Sequence, residues 1–405
     1  MFSDIPIKYF DCTHRAISPK DTLKNFEGKR KIAGITRIGE ITHLDRVGVP
    51  VYTAIRPTAK EGGVSVYAGK GATTEQAKAS ALMEGFERYS SEQQEEDKEK
   101  YNIKIANLNE LSNTINPKDL IIPKNNFKED KPLEWIISKD ITSGESFYIP
   151  NNTVFHPYDP IYQNQQLFKS NTNGLASGNV LEESVLHGIF EVVERDAWSI
   201  FELNKNIGTE ILKETIENEI IQNIISKFEN EKIAIKLINI TVDTDIPTII
   251  AVADDTISKD PALLTLGVGT HLNPEIAILR ALTEVAQSRV TQIHGTREDT
   301  VRADFMRKAG YERMKRMNKH YFKDYENKIA IENIQNYSSN SLKKDIETAI
   351  KKLENAGLNK VLFVDLTRKE IEVPVVRVVI PKAEIYSVDP ERIGMRALNY
   401  KATPK

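Results

Sequence analysis

The feature that most constrains what this chain can fold into is a helical pattern that occurs three times. It reads Ser80-Ala-Leu-Met-Glu84-Gly-Phe-Glu87-Arg88, then Phe190-Glu191-Val-Val-Glu194-Arg195, then Thr283-Glu284-Val-Ala-Gln287. Each copy carries Glu-x-x-Glu or Glu-x-x-Gln, and four residues before its first glutamate stands a polar group: Ser80, His187 or Arg280. At about 100° per residue, Ser80, Glu84 and Glu87 fall within a sector of roughly 60°, with Ala79, Leu82, Met83 and Phe86 largely opposite. Glu183, Glu191 and Glu194 likewise share one side of their helix, within about 80°. Taken singly, such a helix is simply the wet side of an amphipathic element. Taken together, the three can bring five carboxylates and an amide into one site. Clustered carboxylates raise one another's pKa unless a cation compensates. Mg2+ suits that role, because it is hard, prefers oxygen and bridges a few carboxylates to nucleotide phosphates.

The turns leading into the first two helices are dense in Gly, Thr and Asn: Gly69-Lys70-Gly71-Ala-Thr73 and Asn171-Thr-Asn173-Gly174-Leu-Ala-Ser177-Gly178-Asn179. Such backbone can approach a phosphate closely. The first turn is not a Walker A loop, since five residues separate Gly63 from Gly69 and Gly71 follows Lys70. Gly267-Val-Gly269 lacks the third glycine of a dinucleotide fingerprint, Leu272 standing in its place, and reads as a tight strand-to-helix turn. Thr73 followed by Gln76 has capping-box spacing. The seven histidines show no metal-ligand spacing, and Cys12, the only cysteine, has no nucleophile signature. His187 reads as an ordinary half-buried imidazole near the carboxylate face. Arg280 and Glu284, at i and i+4, read as a helix ion pair. Arg289 projects onto the apolar side of an ideal helix, so it either emerges past the helix end or reaches a buried anion.

A length of 405 residues accommodates one large α/β domain or two domains. Residues 1–62 read as an N-terminal region packed on a main domain, 63–405, with about 97–133 a charged, Asn/Pro-rich peripheral insertion. Helix is expected at 19–26, around 210–231 and through much of 299–357. Strands are expected at 49–55, 64–67, 233–240, 248–252, 263–267, 361–364 and 373–380, the middle group as a βαβ-like passage. With 55 basic against 58 acidic residues and a net charge of -3, general electrostatic binding to nucleic acid is not expected. No apolar run of about 18 residues marks a membrane span. The N-terminus does not read as a signal peptide, and a single cysteine fits a cytoplasmic setting.

Three ordered motifs carry a resemblance. Ser80-x-x-x-Glu84-x-x-Glu87-Arg88, Asn179-x-x-x-Glu183 with Glu191-x-x-Glu194-Arg195, and Arg280-x-x-x-Glu284-x-x-Gln287-x-Arg289 resemble the nucleotide-binding motifs of the YcaO family, over roughly residues 65–390. The resemblance implies a mixed α/β fold of sheets and packed helices around a non-Walker ATP site, with ATP and Mg2+ as cofactors. It implies Glu84, Glu87, Glu183, Glu191 and Glu194 as metal ligands. Ser80, Glu84, Asn179, Gln287 and Arg289 would be ATP contacts, joined by Arg15 and Thr22 from the N-terminal region, with Arg88, Arg195, Arg280 and Glu284 in support. The implied chemistry is ATP-dependent activation of a peptide backbone amide: a side chain, an amine or sulfide attacks, the resulting oxyanion is phosphorylated, and loss of phosphate gives an azoline, an amidine or a thioamide.

Azoline-forming members typically end in Pro-x-Pro-x-Pro, whereas this chain ends Asn399-Tyr-Lys-Ala-Thr-Pro-Lys405, which disfavours cyclodehydration. Gly34-Ile-Thr-Arg37 through Leu44-Asp45-Arg46-Val-Gly-Val-Pro50 is similar to the stand-alone archaeal members associated with thioamidation of a glycine. That likeness implies the alpha subunit of methyl-coenzyme M reductase as substrate, a sulfide source, a TfuA-type partner and a homodimer. The non-enzymatic alternative is an ATP-binding scaffold.

Overall fold

In the computed structural model, which describes residues 2–9, 13–160, 164–295 and 302–400, each glutamate helix follows directly from a strand, and the three strands belong to three different sheets. The first sheet is antiparallel, Arg37–Glu40, Val51–Ile55 and Val66–Lys70 in that order, and Val66–Lys70 leads into the helix Thr74–Ser91. The second has the order Lys104–Ala106, Leu133–Asp140, Leu362–Asp365, Val375–Val379, Leu175–Ser177, with Ser146–Pro150 branching from Leu133–Asp140. Its last strand feeds the helix Leu181–Asn204. The third runs Thr265–Thr270, Thr248–Asp255, Ile233–Asn239, Thr209–Ile211, Lys328–Ile329, and Thr265–Thr270 feeds the helix Pro274–His294.

Local chemistry fixes where the helices begin. Thr73 accepts from the Gln76 amide, and the Gln76 side chain turns back to accept from the Ala72 amide, closing the turn reciprocally. Asn273 caps the third helix ahead of Pro274, whose missing N–H costs nothing at a first-turn position. The apolar faces then enter separate cores. Leu82 and Phe86 pack with Ile35, Tyr67 and Trp135; Ile189 and Val193 with Val376, Val378 and Leu353; Ile278, Leu282 and Val285 with Ile249, Ala251 and Phe228.

The glycines in the feeding strands serve this packing. A Cβ on Gly69 would sit 2.0 Å from the Ala81 amide nitrogen, and one on Gly269 would sit 2.1 Å from the Ala277 carbonyl oxygen. Helix backbone therefore lies directly on strand backbone at these points. Gly267 and Gly269 are both inside the strand Thr265–Thr270, so the pair works ahead of the turn as well as toward it.

Two expectations need correction. The passage 233–270 is not βαβ: its three strands are antiparallel neighbours. The link from Asn239 to Thr248 is too short for a crossover, and two successive buried strands look the same in sequence whichever way they pair. Around 210–231, only Glu219–Asn230 is helical, started by the Asn218 cap, while Thr209–Ile211 is a strand. Between 302 and 357 the helices are interrupted by the strand Lys328–Ile329. In the stretch 97–133, Lys104–Ala106 is the edge strand of the second sheet, and buried Asp97 accepts from Arg368 at 2.8 Å. The first sheet joins strands from both sides of residue 62. Cys12 and the last residues, 401–405, lie outside the described residues. No helix among the described residues is long and apolar enough to cross a membrane.

The strand–helix approach makes a stability test. Gly69→Ala should lower the unfolding free energy by about 3 kcal/mol, because backbone atoms cannot yield to the new methyl. Gly28→Ala, with nothing within 4 Å of its added Cβ, should stay within about 0.5 kcal/mol. Urea denaturation followed by circular dichroism measures both.

Candidate active site

Where the three helices converge, their polar faces enclose a cavity of about 410 Å³. Ser80, Glu84, Glu87 and Arg88 come from the first helix, and His187, Glu191, Glu194 and Arg195 from the second, with Asn179 and Glu183 at its start. Arg280, Glu284 and Gln287 come from the third, and Arg15 and Thr22 close the N-terminal side. Every candidate except Arg289 therefore lines one space, because the apolar stripe of each helix is taken up in the apolar clusters and leaves the opposite face turned inward.

Hydrogen bonds across the cavity fix these groups against one another. Glu87 accepts from both the amide and the hydroxyl of Ser177, each at 2.8 Å, which ties the first helix to the strand feeding the second. Lys70 pairs with Glu284, and Gln287 donates to the Ala68 carbonyl, so the third helix is held to the first sheet. Glu183 accepts from the Ala16 amide at 2.9 Å and from the Asn179 side chain at 3.0 Å, while Arg15 lies 3.7 Å away. Thr22 donates to the Asn179 side-chain oxygen at 2.8 Å. Arg88 bonds Glu84 at 3.1 Å, and Arg15 bonds His187 Nδ1 at 2.8 Å.

Burial leaves the carboxylates short of compensation. Desolvation, reinforced by Glu84, pushes Glu87 up to about 7. Desolvation with Glu284 beside it pushes Glu194 up to about 7. Glu191 is raised by burial despite Arg195, Arg377 and Arg88. Glu284 goes the other way: burial would raise it, but Lys70 and then Arg195 hold it below the usual carboxylate range. Burial, with Arg15 and Arg280 nearby, drives His187 far below its usual value, so it is neutral. Buried polar atoms also remain without hydrogen-bond partners: Glu194 Oε2, Arg88 Nε and Arg280 Nε.

Arg289 belongs elsewhere. It is fully buried and donates to Asp45 at 2.7 and 3.0 Å and to Asp255 at 3.2 Å. Of its two sequence readings, a buried anion is the outcome, and the anions are carboxylates of this chain. Arg280 and Glu284 do not pair as neighbours on their helix; Arg280 faces Glu194 at 3.8 Å and Glu284 takes Lys70. Lys70 is the residue that sequence reasoning passed over. It was weighed only as a P-loop lysine, although its place at the end of a strand feeding a glutamate helix puts it beside the carboxylates.

Comparisons with known proteins agree with this geometry. Residues 68–384 match the family model described as YcaO cyclodehydratase, ATP- and Mg2+-binding. A protein of Methanothermobacter thermautotrophicus, itself uncharacterized, is 52% identical over 382 residues, covering 94% of this chain and 98% of its own. An uncharacterized protein in the tfuA 3′ region of Rhizobium leguminosarum bv. trifolii is 29% identical over 408 residues, covering 96% and 93%. Among solved structures, that of YcaO from Methanopyrus kandleri bound with AMPPCP and Mg2+ superposes with a TM-score of 0.81 at 30% identity, covering 99% of this chain and all of the other.

The residues present suit those ligands. A cavity of 410 Å³ lies in the usual range for small-molecule sites, about 300–1,000 Å³. Its glutamates are raised by burial, and Glu194 Oε2 makes no hydrogen bond although Arg280 stands 3.8 Å away, so the carboxylates are under-compensated. Among the described residues no three acidic, His or Cys side chains converge closely enough to hold a metal unaided. That matches an ion shared between one or two carboxylates and substrate phosphates.

The placement of Arg289 yields a discriminating test. Arg289→Met strands Asp45 and should cost about 3–5 kcal/mol of stability. The folded fraction should still bind an ATP analogue within about threefold of wild type, since Arg289 does not line the cavity and is committed to carboxylates of this chain. Thermal denaturation and calorimetric titration below the transition check the two halves.

Proposed function

The chain belongs to the YcaO family, and from that premise we propose that it uses ATP to replace the oxygen of a peptide backbone amide with sulfur. Glutamates from three helices facing one cavity that Lys70, Arg195 and Arg280 also line carry the reading. The family is described as ATP- and Mg2+-binding cyclodehydratases, so ATP-dependent activation of a backbone amide is the common ground from which the reading starts. The relative from the tfuA 3′ region supports the thioamide branch and a TfuA-type partner. The relative from a methanogen supports a glycine of the methyl-coenzyme M reductase alpha subunit as the target, giving thioglycine. We take the enzyme to act in the cytoplasm as a homodimer supplied with sulfide.

Glu84, Glu87, Glu183, Glu191 and Glu194 are the groups that would hold Mg2+, and Ser80, Asn179, Gln287, Arg15 and Thr22 those that would contact ATP. When bound, ATP with Mg2+ supplies a phosphoryl group that makes the amide oxygen a good leaving group, since a carbonyl oxygen leaves as phosphate far more readily than as hydroxide. The chain's own residues prepare the place. Arg280 and Arg195, 3.8 and 3.9 Å from Glu194, set positive charge where phosphate charge must be met. Lys70 adds another cation opposite, fixed by Glu284. Helix backbone packed on strand backbone at Gly69 and Gly269 keeps these groups from drifting apart. Overall, hydrosulfide sulfur enters the peptide, the amide oxygen departs in phosphate, and ATP becomes ADP.

Mass spectrometry of a glycine-containing substrate peptide with ATP, Mg2+ and sulfide should show a gain of about 16 Da, the exchange of oxygen for sulfur. A loss of about 18 Da would indicate azoline formation instead, and an unchanged peptide under all conditions, with and without a partner, would count against both. Glu191→Gln should cut turnover by about 100-fold or more, and chelating Mg2+ should abolish it. A scaffold would show ATP binding with no turnover to lose.

A further inference from the structure

Buried arginines in this chain follow a rule: each takes a carboxylate partner. Arg56 has Glu92, Arg368 has Asp97, and Arg289 has Asp45 and Asp255. Arg377 and Arg392 break it. Both are only 4% exposed. Arg377 donates to the carbonyls of Thr153 and Asn171 at 2.8 and 2.7 Å, and Arg392 to those of Ile121 and Leu120 at 2.9 and 2.6 Å. Nη1 of each guanidinium is buried without a hydrogen-bond partner, as is Nη1 of Arg289, but here no carboxylate accepts from the rest of the fork. Arg392 also lies 3.7 Å over the Phe168 ring, and the aromatic face offers only a weak counter-charge.

Both arginines line one small pocket of about 60 Å³, together with Phe168, Asn171, Asn173 and Val192. That is several times the ~10–15 Å³ that one water requires, yet far below what a nucleotide needs. Two guanidiniums, each with an Nη1 donor that the carbonyls do not take up, border this space, which is walled by apolar groups and main chain, and their paired charge suits a compact anion. We propose that this pocket is a second ligand site that binds a small inorganic anion between Arg377 and Arg392. Desolvation lowers both guanidinium pKa values to about 10, and the charges of Glu191 near Arg377 and Asp389 near Arg392 offset it only in part.

The pocket also lies one residue away from the main cavity. Thr172 lines the large cavity while Asn171 and Asn173 line the small one, and on the second glutamate helix Glu191 lines the large cavity while Val192 lines the small one. Arg377 accordingly feels the charge of Glu191. Asn173 completes the wall; its Oδ1 has no partner, and a half-turn of the amide would present NH2 to an anion instead. An anion held here would sit beside the proposed reaction centre, either as a nucleophile with a single heavy atom, such as hydrosulfide, or as a tetrahedral product such as phosphate.

Crystals of the full chain soaked separately in bromide and in selenate, with the main cavity filled by a non-hydrolysable ATP analogue, test this by anomalous diffraction. A peak between Arg377 and Arg392 is expected; bromide alone would point to a nucleophile-sized ion, and selenate to a phosphate-like one. Equilibrium dialysis of labelled phosphate and competition by chloride in solution, again with the analogue bound, should weaken at least ~10-fold in Arg392→Met, the loss of one charge-assisted fork. Absence of a peak with either probe in wild-type crystals overturns the proposal, and so does binding unchanged in Arg392→Met. Because these readouts need no turnover, they stand or fall independently of whether the peptide gains sulfur.

Discussion

Carboxylates taken out of water next to one another are the constraint on which this structure turns. The shift of Glu194 to about 7 corresponds to roughly 3 kcal/mol against its charged form. Several such groups on one helix would be expelled to the surface. They remain inside because cations arrive from other elements: Lys70 from the first sheet, Arg280 from the third helix, Arg15 from the N-terminal segment. Compensation is still incomplete, and the shortfall is what a bound divalent ion and its phosphates would supply. Stability has been surrendered locally for a site that is most comfortable when loaded.

Much of this was legible in the sequence because helical periodicity is a local property. Glu84 and Glu87, or Glu191 and Glu194, share a face whatever surrounds them, and their recurrence points to convergence. Capping was legible for the same reason, as Thr73 and Gln76 show. Pairing direction was not, because a buried strand such as Thr248–Asp255 carries apolar residues on both faces in either arrangement. Arg289 shows a further limit. Its helix position announced a buried cation, yet the choice between a ligand and Asp45 depends on a segment 244 residues away. Lys70 was hidden by its own neighbours, whose glycines suggest a phosphate loop but in fact admit helix backbone.

The arginines sort by partner into distinct jobs. Arg56, Arg289 and Arg368 fasten distant segments through carboxylates, and such pairs are costly to break from one side. Arg195 and Arg280 stand loosely near Glu194, at distances that leave them room to turn toward a ligand. Arg377 and Arg392 hold only carbonyls. The same side chain thus acts as rivet, as clamp and as waiting host, and the distinction lies entirely in what its second nitrogen touches.

Each sheet of this molecule sends a glutamate helix to the centre, where all three contribute polar side chains to one cavity. The cavity therefore behaves as a keystone. A ligand that bridges the helices adds its binding energy to polar contacts between them, beyond the apolar clusters that the sheets already share. Filling the site would tie the three helices into a more cooperative block, and emptying it would leave their junction the looser part of the fold.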